Sequence, residues 1–257
     1  MYNEFAYFYD ELNGAADYRR LHRFVRRAFR KNGLKTGIVA DLGCGTGTLT
    51  LALAKDGYDM LAVDVSQDML EVLADKLVEK PKLAGRVQLL RQDLTALDLF
   101  GTVQGAVSTF DTLNHIGPLS KLEDALCSAA FFMDKEAVFV FDMNTPYKHR
   151  EILKDNSYEV QAPDAVCVWS SRYDESIPAT EITVRTTRSA TGEVCEEQFT
   201  EYSYTAEQVR FICEKAGLSV LDVRDGETFR ELRPSSQRMI FVTKKKYTQL
   251  GEQADGR

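Results

Sequence analysis

No apolar run in this 257-residue chain is long enough to span a bilayer, and the opening Met-Tyr-Asn-Glu-Phe-Ala-Tyr does not follow the basic-then-apolar order of a secretory signal. Cysteine is sparse. The five residues, Cys44, Cys127, Cys167, Cys195 and Cys213, are odd in number and contain no C-x-x-C pair. That spacing argues against a disulfide framework and against a zinc site. It fits a reduced, cytoplasmic chain with no metal centre. Positive charge is also short: the formal net charge is −7. Phosphate neutralisation dominates nucleic-acid binding, so strong general affinity for nucleic acid is not expected. Internal repeats and low-complexity linkers are missing as well. The hydrophobic content of 44% is enough for a sizeable core, and the length suits one large domain or a domain carrying an insertion.

Against that background the periodicity alternates. Residues 17–31 read as an amphipathic helix with Leu21, Phe24, Val25 and Ala28 on its apolar face. Strand signals follow at 37–42, 60–64, 87–91, 103–110 and 137–142, with helical patterns at 48–55, 67–78 and 120–133 between them. Alternation of this kind predicts a parallel sheet covered on both faces. After Pro146 the helical period is lost. Residues 157–204 gain strand formers separated by turn signals at 176–178 and 191–192, which predicts three or four antiparallel strands. A helix returns at 206–216, strands at 219–223 and 239–243 close the fold, and the tail from Lys244 is polar.

The most informative stretch is Val39-Ala-Asp-Leu-Gly-Cys-Gly-Thr-Gly47, an apolar run ending in Asp41 and then Gly43, Gly45 and Gly47 before a helix. Strand, glycine turn and helix bring bare N–H groups to a ligand, and the helix N-terminus favours a carboxylate. A dinucleotide fingerprint needs G-x-G-x-x-G; here the third glycine comes one residue early and position 48 is Thr. Asp41 is a candidate for a ligand ammonium group or for the loop's own N–H groups. Asp64 ends the second strand, where a carboxylate accepts both hydroxyls of a ribose, or else caps the next helix. Met69 is a candidate to flank an adenine, and Asp93 to accept its amino group. Ser108-Thr-Phe-Asp-Thr-Leu-Asn-His115 follows the fourth strand, where the reactive end of a ligand belongs. Phe110 could face a cation there. Asp111, Asn114 and His115 are the polar groups best placed for substrate, and Asp111 or His115 could take a proton. Tyr7 and Tyr9 could fold over the cofactor as a lid, or pack in the core. The run Arg19, Arg20, Arg23, Arg26, Arg27, Arg30 and Lys31 reads mainly as a solvated helix face. Its alternative is recognition of a cofactor carboxylate or an acidic substrate by Arg19, Arg20 or Arg23. Trp169 and Tyr173 fall on an insertion strand that could roof a substrate pocket. Cys44 has no base beside it in sequence.

The ordered set Asp41–Gly47, Asp64, Asp93 and Phe110–His115 resembles the class I S-adenosylmethionine-dependent methyltransferases over residues 37–143. The wider layout resembles a subgroup of small bacterial methyltransferases, through Phe5-Ala6-Tyr7-Phe8-Tyr9-Asp10, Val63 to Leu70, Leu113 to His115 and the β insertion. The resemblance implies a Rossmann-like seven-stranded mixed sheet in the order 3-2-1-4-5-7-6, with helices on both faces and an antiparallel β insertion after strand 5. It implies S-adenosyl-L-methionine as cofactor, S-adenosyl-L-homocysteine as product and methyl transfer by in-line displacement. Cys44, Val65, Gln92, Leu94 and Thr109 join the expected cofactor contacts beside the residues named above. The expected organisation is an N-terminal and cofactor-binding part over 1–147, a substrate cap over 148–204, a return to the core over 205–245 and a tail over 246–257. The acceptor is expected to be a small molecule, and the protein a monomer or homodimer. Transfer to RNA or protein, a non-enzymatic cofactor-binding module and an NAD-dependent oxidoreductase are the rivals. The acceptor loop lacks the Asn/Asp-Pro-Pro-Tyr motif of amino-nucleobase methyltransferases, no Tyr-x-x-x-Lys pair is visible, and Asp142-Met-Asn-Thr-Pro146 matches no substrate class.

Overall fold

The computed structural model describes residue 6, residues 9–10, 17–162 and 164–246. Helix α1 (Tyr18–Lys31) starts where the Asp17 carboxylate accepts the Arg20 N–H at 2.9 Å. Leu21, Val25, Ala28 and Phe29 recur at helical spacing and are buried. The chain then alternates as β1 (Ile38–Leu42), α2 (Thr48–Lys55), β2 (Asp59–Asp64), α3 (Gln67–Val78), a short α4 (Pro81–Ala84), β3 (Val87–Arg91), β4 (Val103–Ser108), α5 (Leu119–Phe131) and β5 (Met133–Asn144). Ser66 caps α3 by accepting the Met69 N–H.

After a π-helical turn at Lys148–Leu153 come β6 (Asn156–Ala162), β7 (Ala165–Asp174), β8 (Ala179–Arg188) and β9 (Val194–Tyr202). Helix α6 (Ala206–Lys215) follows, begun by a reciprocal Thr205–Gln208 capping box, and then β10 (Leu218–Asp225) and β11 (Arg238–Lys245).

The main sheet runs β3-β2-β1-β4-β5-β11-β10. Strands β1 to β5 pair in parallel, and β11 is antiparallel to both β5 and β10. Counted within this sheet alone, the order is 3-2-1-4-5-7-6, as the resemblance implied. Side chains alternate between its faces. Val138, Val140, Ile240 and Val242 pack with Leu21, Val25, Phe29 and Leu53. Phe139, Phe141, Met239 and Phe241 pack on the other side with Leu126, Val209 and Ile212. The strand order reverses between β1 and β4, which opens a crevice beyond their carboxyl ends.

The insertion is a four-stranded antiparallel sheet in sequential order, β6-β7-β8-β9. Ile182, Val184 and Phe199 of its inner face pack on Met69 of α3 and on Ala6. It therefore lies over the carboxyl ends of the core strands. Two features differ from the periodicity reading. β5 is twice as long as its apolar run, because Met143 and Asn144 continue the pairing with β11 at one end and Met133 pairs with Val103 of β4 beyond an irregular stretch at the other. The π-helical turn sits in a polar stretch that carries no apolar period. No helix among the described residues is long and apolar enough to cross a membrane.

Candidate active site

The glycine loop begins at the end of β1, the central strand at the order reversal. Gly43, Gly45 and Gly47 all adopt positive φ, at 74°, 53° and 77°. A Cβ on Gly43 would stand 2.1 Å from Thr112 Cγ2, and one on Gly47 2.2 Å from Leu73 Cδ1. Gly45 differs: its nearest neighbour would be the Tyr9 ring at 3.9 Å, so bare backbone faces open space. The Gly43 and Cys44 N–H groups donate to Val63 O, which locks the loop to β2. Gly47 begins α2 without a side-chain cap, leaving N–H groups of the first turn for a ligand.

The two strand-end aspartates do different work. Asp64 accepts the Gly45 N–H at 2.8 Å through one oxygen and the Ser66 N–H at 2.9 Å through the other. It is thus the residue that shapes the glycine loop, and Ser66 is the helix cap. Asp41 is buried and accepts the Thr50 hydroxyl at 2.6 Å. Burial pushes its carboxyl up to about 7. Burial also pushes the Cys44 thiol well up, which suits it to packing and not to nucleophilic work.

The N-terminal motif has an anchor that the residue types alone did not reveal. Asp10 accepts the Thr46 hydroxyl at 2.5 Å and pairs with Lys76. Lys76 also donates to Thr46 O at 2.9 Å. These bonds hold Tyr9 over the glycine loop; Tyr7 lies outside the described residues.

At the adenine side, Val65 is 54% exposed at the end of β2. Asp93 accepts the Thr95 N–H and hydroxyl through Oδ1, closing a local turn, and is otherwise exposed. Gln92 brackets Asp98 with two bonds, and Leu94 is in the core. Met69 is buried under the insertion.

The loop after β4 holds the most strained backbone near the site. Phe110 and Asp111 take consecutive left-handed conformations, φ 56° and 59°. Asp142, from β5, accepts both of their N–H groups at 3.1 and 3.0 Å. Arg238, from β11, donates to Asp142 at 2.7 Å and to Asp111 at 2.8 Å. The guanidinium holds the Asp111 carboxyl far below the usual carboxylate range against the opposing effect of burial. The Phe110 ring lies 4.5 Å from Tyr18 and 5.6 Å from the Arg238 guanidinium carbon. Sequence reasoning missed Arg238 and Asp142; their only signal was Asp142 at the end of an apolar strand. Thr109 is buried beneath this loop, and its carbonyl accepts the Thr112 hydroxyl.

Asn114 spends its amide on backbone. It donates to Tyr202 O at 2.8 Å and to Asn144 O at 3.3 Å, and it accepts the Asn144 N–H. It ties the loop to the insertion. His115 packs on Phe199, ring centroids 5.1 Å apart, and burial lowers its pKa.

A cleft of about 210 Å³ opens between this loop and the insertion, lined by Tyr9, Phe110, Asp111, Lys148, Trp169, Phe199, Glu201 and Arg238 among others. Trp169 stacks on Tyr158 at 6.1 Å and meets Phe199 edge-on at 6.2 Å. Tyr173 stands off the cleft, its ring 6.4 Å from His149. Glu201, which the sequence reading did not single out, is buried in this cleft with its carboxyl pushed up to about 8 by burial and by Asp111. A second cleft follows the glycine loop, lined by Tyr18, Asp41, Gly43, Gly45, Thr48 and Thr109 together with Tyr9 and Phe110. The two clefts meet at Tyr9 and Phe110. Arg19, Arg20 and Arg23 line neither; they are exposed on α1.

Comparison with known proteins agrees with this geometry. Residues 39–130 match the family of methyltransferase domains. Over 250 residues the chain is 27% identical to a protein of Geobacillus sp. (strain WCH70) named as a methyltransferase, covering 95% of this chain and 99% of the relative. The fold is similar to that of an S-adenosylmethionine-dependent methyltransferase from Clostridium acetobutylicum ATCC 824, with a TM-score of 0.85 at 23% identity over 96% of this chain and 99% of the other. It is also similar to CalS10, an amino pentose methyltransferase from Micromonospora echinaspora solved with S-adenosylmethionine bound, with a TM-score of 0.69 at 17% identity over 89% and 92% of the two chains.

Proposed function

We propose that this chain, a class I S-adenosylmethionine-dependent methyltransferase, transfers a methyl group to a small-molecule amine held between the core sheet and the β insertion. The observation that carries this reading is the junction of the two clefts at Tyr9 and Phe110. One cleft follows the glycine loop; the other is enclosed by aromatic rings and carboxyl groups. Trp169 and Phe199 give the acceptor cleft π-faces and Glu201 gives it a carboxyl that can receive an amine, while Asp111 in the same wall is balanced by Arg238 and Lys148 stands beside them. The likeness to an amino pentose methyltransferase supports the same class.

The residues present fit the cofactor. Gly45 leaves open space, α2 has an uncapped first turn, each Asp64 oxygen retains acceptor capacity after one backbone bond, and Val65 offers an exposed apolar surface. In this reading the loop and helix N-terminus hold the amino-acid carboxylate, Asp64 the ribose hydroxyls, and Val65 with the free oxygen of Asp93 the adenine. When bound, S-adenosylmethionine supplies a methyl carbon on a sulfonium, open to in-line displacement.

The chain's own residues then have to align the acceptor and exclude water. Tyr9, tethered through Asp10, closes the junction from above. Asp111 is a positioning residue and not a base, because its ion pair with Arg238 strongly favours the carboxylate without a proton. His115, kept neutral by burial, accepts a hydrogen bond from the acceptor and orients it. Trp169 lines the cleft around it, and Asn114, buried behind, ties the loop to the insertion. The test is methyl transfer from labelled S-adenosylmethionine to a panel of amino sugars and other small amines, with calorimetric binding of the cofactor measured in parallel. Transfer to an amine is the expected result; tight cofactor binding with transfer only to RNA or protein would overturn the acceptor class.

A further inference from the structure

Glu201 is the buried carboxyl of the acceptor cleft that has no ion-pair partner among the described residues. It sits on β9, 4% exposed, with one carboxylate oxygen accepting the Asn144 side-chain N–H at 2.8 Å. Asn144 is itself immobilised: its backbone N–H donates to Asn114, and its side-chain oxygen accepts Lys148 Nζ at 3.0 Å. Among the described residues no donor reaches the second Glu201 oxygen, and Glu201 lines the cleft. Single ligand atoms of Glu201, His115 and Asp111 all lie within 4.8 Å of one another.

We propose that Glu201 receives the acceptor's ammonium group and takes its proton, a role that rests on the amine reading above. The N–H bond breaks, the proton forms an O–H bond on the carboxylate, and the electron pair stays on nitrogen as the nucleophile. After product leaves, Glu201 returns the proton to solvent. The surroundings suit this task. Burial and Asp111 raise the carboxyl to about 8, against Lys148, the Asn144 amide and Arg238, so at pH 7 a minor carboxylate fraction does the work and the wild-type rate should climb toward pH 8. Burial pulls His115 below its ordinary range, so the Glu201 carboxylate is the stronger base of the two. Tyr158 faces Glu201 from β6 and retains its proton, because burial raises it. A divalent cation is a poorer occupant of the trio, since Arg238 already neutralises Asp111.

The experiment compares wild type and Glu201→Gln on glucosamine and its 3-amino and 4-amino isomers, with the deaminated sugars as controls, from pH 6 to 10. At pH 7 the variant should transfer methyl about 100-fold more slowly, with unchanged cofactor affinity and melting temperature. The deficit should shrink toward unity above the amine's own pKa, where the free amine needs no base; a purely structural role would not recover. Glu201→Asp, which keeps a carboxylate, should retain part of the pH 7 rate. Wild-type activity in Glu201→Gln at pH 7, or a deficit equal at every pH, overturns the assignment and leaves the amine reading standing. Transfer to none of the amines, with the cofactor still bound, overturns the amine reading and the assignment with it.

Discussion

Replacing Arg238 by Leu removes the only cation that the described residues bring to two buried or half-buried carboxylates at once. The guanidinium donates to Asp142 at 2.7 Å and to Asp111 at 2.8 Å, with its own side chain 14% exposed and the two partners 3% and 20% exposed. Removing one partner of such a pair costs about 3–5 kcal/mol, because a charge is left without compensation in a poorly solvated place. The same Asp142 carboxylate pins the left-handed Phe110 and Asp111 backbone, which stores roughly 1–3 kcal/mol per residue. Against a total stability of about 5–15 kcal/mol the loss is large but survivable. Urea unfolding at pH 7 should therefore show a fall of about 3–5 kcal/mol, and the cleft should lose activity along with its Phe110 wall. The pH dependence gives the sharper test. In the wild type Asp111 has a depressed folded pKa, so it contributes stability above the unfolded value near 4, lost only as pH falls through the lower folded value. In the variant the pair is gone and burial is opposed chiefly by Lys148, so the folded pKa rises and the deficit should shrink as pH falls toward about 4, and further below it as the wild type loses its own contribution. A loss under about 1 kcal/mol, or one equally large at pH 7 and pH 3.5, would refute the ion-pair argument.

Four other outcomes follow from single contacts. Asp64→Ala should weaken S-adenosylmethionine binding about 10- to 100-fold in calorimetry, since charge-assisted bonds are lost and the Gly45 loop is released; unchanged affinity would sink the ribose assignment. Gly47→Ala should destabilise the fold by about 1–3 kcal/mol in thermal unfolding because a Cβ meets Leu73, while Gly45→Ala should cost less stability and more cofactor affinity. Asp41 has a folded pKa raised to about 7, so wild-type stability should fall from about pH 4 to pH 7, and Asp41→Asn should flatten that slope in urea titrations. Saturable NADH binding at micromolar levels should not be found; finding it would contradict the spacing of the glycine loop.

The donor half of this site was legible in sequence because it is local. Asp41 and the three glycines fall within seven positions, and each carries a signature that only backbone geometry explains. Asp64 ends a strand whose neighbour is fixed by the parallel order. Even so, the partners differ from the expectation: Asp64 accepts the loop N–H that was offered for Asp41, while Asp41 holds Thr50. A carboxylate at a strand end announces that it accepts hydrogen bonds, but which N–H or O–H reaches it depends on the next turn. Gln92 and Leu94 sit where the adenine loop was expected and are occupied by Asp98 and the core.

The cleft under the insertion was not legible because its contacts span the chain. Asp111 meets Arg238 across 127 positions, Asn114 meets Tyr202 across 88 and Asn144 meets Glu201 across 57. No periodicity links such residues; only the pairing of β5 with β11 and the folding back of β9 do. Alternation of β9 did say that Phe199 and Glu201 share a face, since they are two apart on a strand. It could not say that this face closes on His115. A glutamate on the inner face of a half-buried sheet costs desolvation unless something offsets it. That conflict with the hydrophobic pattern is itself the signal: an acidic residue in phase with Phe199 and Ile182 marks a strand whose inner face lines a cleft as well as a core.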